Sequence, residues 1–474
     1  MKNRIYIKNL KDFIGQEVII AGWVDVRRDQ GKLVFMDMRD MTGKVQCVIL
    51  PNHNEAMEQV KEVRTEWVLN IKGIINKRPE KNIKEGVLNG EIELEITNIE
   101  ILNKAETPNF DVTSDGREIG EESRLTYRYL DLRRPRMQKN IRNRHHVAKF
   151  VRDFLDKEDF IEIETPILTK STPEGARDFI VPSRLYQGTF YALPQSPQQY
   201  KQLLMASGME KYFQIARCMR DEDTRGDRQP EFTQLDMEMS FVEKEDVMEV
   251  NERLLIELVT KLYPHKKIQE IPFPRIPYKD AIEKYGNDRP DIRTDKNDSD
   301  LLAFCWVTDF PFFERTDKSD NPNTEGEWTF THNPFSEPIK EHKEWLLEGK
   351  NLGDILTTQY DITLNGYEIG GGSIRAHQAE TLHKVLNIIG HKDDDIERNF
   401  GHMLNAFQSG TPPHGGIAWG FDRLIMLLEN EPNIREVIAF PKTGEGKDLM
   451  MESPSSVSDK QLKELGISID KKIK

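Results

Sequence analysis

In the segment CMRDEDTRGDRQPEFTQLDMEMSF, residues 218–241, the second half alternates without a break. Thr233, Leu235, Met237 and Met239 fall on one face of an extended chain, and Gln234, Asp236 and Glu238 fall on the other. A period of two predicts a strand with one apolar face. The simplest reading of its polar side is a face turned to water. Two acids and an amide after a run crowded with arginines and acids also suit a polar pocket, and the rest of the chain decides between the two.

Strand patterning dominates the first hundred residues. The run EVIIAGWVDVRRDQGKLVFMDMRDMTGKVQCVIL, residues 17–50, alternates and breaks at the turn signals DQG and MTG. WVLNIKGIINKRP and GEIELEITNIEILN continue the pattern to about residue 103. Five short strands in this length predict a small barrel of the oligonucleotide-binding kind. Val34, Met36 and Met38 form an apolar face, which leaves Phe35 on the opposite one, with Arg27, Arg28 and Arg78 nearby in sequence. An outward aromatic among cations suits base stacking; ordinary barrel packing is the alternative.

At 474 residues the chain exceeds one ordinary core, so two or three domains are expected. After a polar connector, helices are expected from about residue 136, over roughly 246–262, and near 376–389 with Gly390 as C-cap. The stretch NDRPDIRTDKNDSD, residues 287–300, reads as a surface linker, and HGGIAWGFDRLIMLLEN as a glycine-broken strand feeding a helix. Strands mixed with helices, without regular βαβ alternation, predict an α+β domain on an antiparallel sheet. The expected division is a barrel over 1–105, a connector over 106–135 and a catalytic domain over 136–474.

No apolar run approaches the roughly 20 residues of a membrane span, and MKNRIYIKNLKDF does not read as a signal peptide. No membrane partner is expected. Cys47, Cys218 and Cys305 are scattered and odd in number, which argues against a disulfide framework or a zinc site and fits a reducing cytoplasm. The net charge of −14 argues against a general nucleic-acid coat protein but leaves room for a local basic patch.

Neither GxxxxGK[ST] nor a Rossmann GxGxxG is present. The glycines of IGGGSIR and HGGIAWGFDR fit close approach of a nucleotide, or simply tight packing and turns. Arg220 and Glu222, two apart, share a face if extended. Asp361 and Glu368 flank an NG turn that can pair their strands. With Arg375 and Arg423 they make a set able to face phosphates and magnesium, while each acid singly also suits a solvated surface.

These residues sit in motifs that resemble the class II aminoacyl-tRNA synthetases, and more narrowly the bacterial-type aspartyl-tRNA synthetases. FIEIETPILTKSTPEGARDF resembles the first class motif, RCMRDEDTRGDRQPEFTQLDMEMSF the second and GGIAWGFDRL the third. LPQSPQQYKQLLM, YEIGGGSIR and REVIAFPKT are similar to the aspartate enzymes in particular. The resemblance spans nearly the whole chain. It implies an anticodon-binding OB-fold barrel before a catalytic sheet of six or seven antiparallel strands. It also implies a homodimer built partly on the first motif, with ATP, magnesium, L-aspartate and tRNA(Asp), with tRNA(Asn) as a further candidate, as reaction partners.

Residue by residue, it implies that Arg220 holds the α-phosphate, that Glu222 and Gln229 contact the adenosine, and that Arg423 binds the γ-phosphate. Asp221, Gly420, Phe421 and Asp422 complete the ATP site, and Arg220, Glu222 and Arg423 are the catalytic set. Asp361 and Glu368 hold magnesium, the latter beside ATP. Arg375 grips the side-chain carboxylate of aspartate with Lys201 beside it, Glu174, Ser196, Gln198 and Asp236 receive its ammonium group, and His332 closes over it. In the barrel, Arg28, Phe35, Gln46 and Arg78 are the anticodon-binding candidates.

Two departures accompany the resemblance. A short polar link stands where bacterial relatives carry an extra domain, and Asn333 replaces a usual second histidine. The rivals are a sibling synthetase for asparagine or lysine and a non-catalytic paralogue. Arg375 with Lys201 favours an anionic side chain, and retention of Arg220, Glu368 and Arg423 favours catalysis. The tRNA scope depends on barrel side chains near Gln30 and Lys81.

Overall fold

Alternating apolar residues roll the N-terminal strands into a closed barrel. Its strands are β1 (Glu17–Gln30), β2 (Leu33–Asp40), β3 (Gly43–Ile49), β4 (Val68–Lys77) and β5 (Ile92–Asn103), in the order β1-β2-β3-β5-β4, with helix α1 (Asn54–Gln59) between β3 and β4. β3 and β5 run parallel and the other neighbours antiparallel. At 14 and 12 residues, β1 and β5 are longer than the expected short strands. Val34, Met36 and Met38 are buried with Val24, Ile71, Leu94 and Ile96, and Phe35 points the other way. A Cβ on Gly22 would come within 2.1 Å of the Arg39 carbonyl oxygen, so adjacent strands close there only over a glycine.

The computed structural model describes residues 3–171, 175–316 and 327–469. Two compact units emerge, Met1–Gly120 with Tyr129–Pro135, and Glu121–Arg128 with Arg136–Lys474. The connector is thus shared: residues 129–135 join the barrel unit, where Arg133 pairs with Glu66 at 2.5 Å. Residues 121–128 belong to the second unit, where Arg124 pairs with Glu436 at 2.6 Å.

After residues 121–128, the second unit continues with α2 (Pro135–Lys157), whose first residue closes the barrel unit, and edge strand β6 (Ile161–Glu162). Next come α3 (Gln198–Ala206), β7 (Lys211–Met219), β8 (Glu231–Ser240) and α4 (Lys244–Leu262). β9 (Arg275–Pro277), β10 (Phe304–Thr308), β11 (Tyr360–Leu364) and β12 (Tyr367–Ile374) follow. The unit continues with α5 (Ala379–Ile388), α6 (Asp393–Gln408), β13 (His414–Gly420) and α7 (Phe421–Leu428).

One eight-stranded sheet, β9-β10-β11-β12-β13-β8-β7-β6, carries the site. Its six central strands pair antiparallel, as expected, and a short parallel strand is added at each edge, β9 on β10 and β6 on β7. Helices α2 and α4 bury Val147, Val151, Phe154, Leu254, Leu255 and Leu258 in the main core. α4 starts at a capping box of Glu243 and Asp246, and Gly390 at φ +99° ends the α5 turn. The 287–300 link has no helix or strand and is pinned by Gln269, which donates to the Ile292 carbonyl at 3.1 Å and accepts from Thr294 N at 2.8 Å.

Both faces of β8 are buried. Leu235, Met237 and Met239 join the core as the alternation predicts, but Asp236 and Glu238 on the other side are fully inaccessible to water. The solvated-face reading is therefore excluded by the fold itself.

Candidate active site

Two adjoining cavities open over the polar side of this sheet and share Arg220, Glu222, Gln234, His332, Glu368 and Ala418. The outer one, of about 430 Å³, extends over Asp227, Gln229, Gly420 and Arg423. The inner one, of about 320 Å³, extends over Ser196, Gln198, Lys201, Asp236, Asp361 and Arg375.

The inner cavity is floored by four buried charges. Lys201, on α3, reaches Asp236 Oδ1 at 2.6 Å and Glu238 at 3.2 Å. Arg375, which follows β12, donates from Nε to Glu238 Oε1 at 2.9 Å and from Nη2 to Oε2 at 3.2 Å, and from Nη1 to Ser373 Oγ at 3.0 Å. Burial alone raises the Glu238 carboxyl, but the Arg375 guanidinium and the Lys201 ammonium outweigh it and hold it at about 2. Asp236 is pushed up, because burial dominates and Glu238 adds repulsion against the pull of Lys201. Its Oδ2 accepts no hydrogen bond among the described residues. The nearby Tyr212 hydroxyl donates instead to Gln214 at 2.9 Å. Asp236 lines the inner cavity beside the Tyr212 hydroxyl, which feels its charge, and is an acceptor suited to a cationic donor.

Backbone proximity at the glycines has two different causes. A Cβ on Gly416 would sit 2.2 Å from Glu238 Oε2, one on Gly371 2.6 Å from Asp361 Oδ1, and one on Gly372 2.0 Å from the Gly416 carbonyl oxygen. These are packing requirements, as the bland reading of the glycine runs has it. Gly420 differs: a Cβ there meets nothing closer than 3.7 Å, so protein packing does not demand the glycine. It lines the outer cavity, where its bare backbone leaves space.

The strand expected to carry Arg220 and Glu222 stops at Met219, yet both side chains line both cavities. The Arg220 guanidinium lies 5.3 Å over the Phe232 ring and donates from Nε to the Gln195 carbonyl at 3.3 Å. No carboxylate pairs with it among the described residues. Arg423, in the first turn of α7, lies 3.0 Å from Asp227 and also donates to the Glu368 carbonyl oxygen. Gln229 accepts from Lys442 N at 2.9 Å.

The NG turn works as predicted, with Asn365 at φ +52° and Gly366 at φ +87°. Asp361 and Glu368 are not direct cross-strand partners, since Asp361 faces Gly371 and Glu368 faces Thr363, but both line the inner cavity. Burial and then the charge of Glu368 push the Asp361 carboxyl well up, while Gln359 Nε2 steadies it with a hydrogen bond of 2.7 Å. Two repelling carboxylates lining one cavity are hard oxygen donors whose repulsion a divalent cation would relieve. His332 stacks edge-on against Phe310 at 4.5 Å and is lowered by burial. Asn333 takes a structural role: its Oδ1 accepts from Phe335 N at 3.0 Å and Ser336 Oγ at 3.2 Å, and its Nδ2 donates to Gln359 at 3.1 Å.

The side chains of three expected ATP contacts are turned away from the cavities or committed elsewhere. Asp221 is exposed and lines neither cavity, because its backbone bridges to Arg177 and turns it outward. Phe421 is part of the main core. Asp422 borders the outer cavity, but its carboxylate is committed to Arg144 at 2.5 Å and Thr233 N at 2.8 Å. Glu174 lies outside the described residues.

Four residues were missed. Glu238 lay in plain view on the polar face, and only the positions of Arg375 and Lys201 in space reveal its role. Gln195 braces the preceding loop, donating to Asp178 at 2.5 Å and to the Ala176 carbonyl at 2.8 Å. Gln359 and Asp227 gave no sequence signal.

In the barrel, Arg28 and Phe35 are cross-strand partners, as are Asp37 and Gln46. Arg28 pairs with Asp37 at 3.0 Å, and Gln46 donates to Glu93 at 3.3 Å. Phe35 is half-buried on this polar outer face. Arg78 is buried, and its Nε has no partner among the described residues. Gln30 and Lys81 are both exposed, Gln30 at the end of β1.

Residues 120–444 match the family model "tRNA synthetases class II (D, K and N)", and residues 18–102 match "OB-fold nucleic acid binding domain". The aspartate–tRNA(Asp/Asn) ligase of Rubrobacter xylanophilus is 39% identical over 579 residues, with 96% of this chain and 95% of the relative covered. The aspartate–tRNA ligase of Geobacillus kaustophilus is 39% identical over 581 residues, covering 96% and 97%. Alignments of that length on a chain of 474 residues include positions of the relatives that this chain lacks. Among solved structures, asparaginyl-tRNA synthetase from Pyrococcus horikoshii complexed with asparaginyl-adenylate superposes with a TM-score of 0.73 at 23% identity, covering 94% of this chain and 99% of that one. The chain belongs to the class II tRNA synthetases, and within them to the family of the aspartate–tRNA ligases.

Proposed function

We propose that this chain joins L-aspartate to ATP and hands the aspartyl group to the 3′ end of tRNA(Asp). A carboxylate oxygen of aspartate attacks the α-phosphorus, the bond to the β-phosphate oxygen breaks, and pyrophosphate leaves. The terminal ribose hydroxyl of the tRNA then attacks the acyl carbon of aspartyl-adenylate and releases AMP.

Charge balance in the inner cavity supports this most directly. Lys201 and Arg375 are cancelled by Asp236 and Glu238. The ammonium and side-chain carboxylate of aspartate also cancel, one meeting Asp236 Oδ2 and the other meeting Arg375 and Lys201, while the α-carboxylate lies toward Arg220. Asparagine would leave a buried excess of one positive charge, and lysine of two. Ser196 and Gln198 line the same cavity and suit the ammonium end, and His332 closes its open side.

In the outer cavity Arg220 stabilises charge developing on the α-phosphate, an effect worth about 3–4 kcal/mol. Arg423 takes the terminal phosphate, Gly420 leaves room for the adenine ring, and Glu222 and Gln229 flank the adenosine. Asp361 and Glu368 would hold magnesium, which when bound neutralises charge on the phosphate oxygens.

The outer face of the barrel around Arg28, Phe35, Gln46 and Arg78 is where we place the anticodon. Relatives carry both aspartate–tRNA and aspartate–tRNA(Asp/Asn) ligase names, so the asparagine tRNA is the second candidate acceptor. We also propose a homodimer in the cytoplasm. Ile161 on edge strand β6, Ile167, Leu168, and Ile180 and Phe190 of the neighbouring 180–192 hairpin are all exposed, an apolar band suited to a second copy.

Exchange of labelled pyrophosphate into ATP tests the activation step. Aspartate should support exchange, and asparagine and lysine should not. Comparable exchange with asparagine would overturn the assignment.

A further inference from the structure

Three arginines line the outer cavity: Arg228 lies 4.0 Å from Glu222, and the other two are in different states. Arg220 faces it with no carboxylate partner among the described residues, whereas Arg423 Nη2 is paired with Asp227 Oδ2 at 3.0 Å. Both members of that pair are shielded, at 15% and 19% side-chain exposure, so the attraction is only partly screened. A terminal phosphate that binds Arg423 must take the place of this carboxylate.

The surroundings let Asp227 leave. It sits on the loop between β7 and β8, in no helix or strand, and the loop is anchored beside it by Ile434 N donating to the Gly226 carbonyl at 3.0 Å. The side chain can therefore swing without disturbing the sheet. Asp227 also borders a second groove of about 510 Å³, lined by Tyr285, Arg289 and Lys296 among others. Displaced from Arg423, the carboxylate meets on its other side Arg289 and Lys296, which are only loosely held, by Asp288 at 3.5 Å and by Asp291 of the same groove at 3.8 Å.

We propose that Asp227 is a built-in competitor for the terminal phosphate: it occupies Arg423 when the cavity is empty, swings toward Arg289 and Lys296 when ATP binds, and returns to Arg423 as pyrophosphate departs. This rests on the ATP reading of the outer cavity. Asp227 thus weakens ATP binding slightly and speeds release of pyrophosphate, which keeps the activation step from being held back by its own product.

Equilibrium binding to the full chain tests this, with pyrophosphate and AMP as separate probes, each with magnesium. AMP lacks the β- and γ-phosphates and does not compete with Asp227. Asp227→Asn should tighten pyrophosphate about two- to tenfold and leave AMP unchanged. Asp227→Ser, which removes the carboxylate by a different route, should do the same. Unchanged or weaker pyrophosphate binding in both variants would overturn the proposal while leaving the ATP site intact. So would equal changes for the two probes, which indicate a merely structural loop residue. Failure of the unaltered chain to bind either probe would overturn the ATP reading, and this proposal with it.

Discussion

Glu238 grips Arg375 through two nitrogens, Nε at 2.9 Å and Nη2 at 3.2 Å, beneath the inner cavity. The cation meant for substrate is thus aimed by a buried acid on β8, two strands away from β12 in the sheet. Lys201 touches the same carboxylate at 3.2 Å, so the pocket's charge is set by a group of four rather than by one arginine.

Removing the grip should therefore cost aspartate binding even with Arg375 intact. Glu238→Gln is expected to raise KM for aspartate about tenfold or more, because Arg375 loses its aim and its compensation. Arg375→Leu should go further and abolish aspartate activation, and it should also destabilise the chain, because Glu238 keeps Lys201 at 3.2 Å but loses its two-nitrogen partner. Steady-state kinetics and denaturant titration read the two effects separately.

His414 lies beside this group, fully buried, with Nδ1 against the Pro412 carbonyl at 2.8 Å and Nε2 against Gln202 at 3.2 Å. Burial lowers its pKa to about 4 from an ordinary 6.5, outweighing the pull of Glu238. The native state refuses a proton that the unfolded chain accepts below 6.5. Its stabilising contribution is complete above that pH and is lost as pH falls through 4, by about 3 kcal/mol in all. Denaturant unfolding at pH 7, 5.5 and 4.5 should show this slope, and His414→Gln should flatten it.

Asp361 and Glu368 repel each other across the inner cavity. Asp361→Asn should stabilise the free protein by about 1 kcal/mol, seen as a higher Tm, and should lower pyrophosphate exchange at least about a hundredfold. A variant both less stable and fully active would contradict the role given to this pair.

Phe35 faces outward opposite Arg28 in the barrel. Phe35→Ala should weaken tRNA binding by about 1–3 kcal/mol per stacked base, read as a raised KM for tRNA in charging assays. An unchanged KM would return Phe35 to ordinary packing.

Periodicity made the architecture legible. The Val34–Met36–Met38 face, the apolar stripes of α2 and α4 and the NG turn all behave as short-range physics dictates. An antiparallel sheet was readable from the mix of strands and helices, its strand number came with the resemblance, and FIEIETPIL read as a strand; that the two short edge strands pair parallel was not readable, since two or three residues carry no mark of their partner. The meaning of the polar face of β8 was also hidden. Alternation distinguishes apolar from polar sides, not water from a pocket, and Asp236 becomes interpretable only when Lys201 arrives from a helix some thirty residues away. Phe421 and Asp422 show the opposite limit. They sit inside a recognisable motif, yet core packing and the Arg144 contact claim their side chains.

The central claim is that a buried, charge-balanced pocket selects aspartate for attachment to tRNA. Incubating the chain with ATP, magnesium and purified tRNA(Asp) or tRNA(Asn) transcript, with labelled aspartate, asparagine or lysine in turn, tests it most directly. Label from aspartate should appear on tRNA(Asp), with none from asparagine or lysine on either transcript. Label on tRNA(Asn) as well would extend the scope without altering the pocket. Attachment of asparagine, or no attachment of aspartate to tRNA(Asp), would contradict the account.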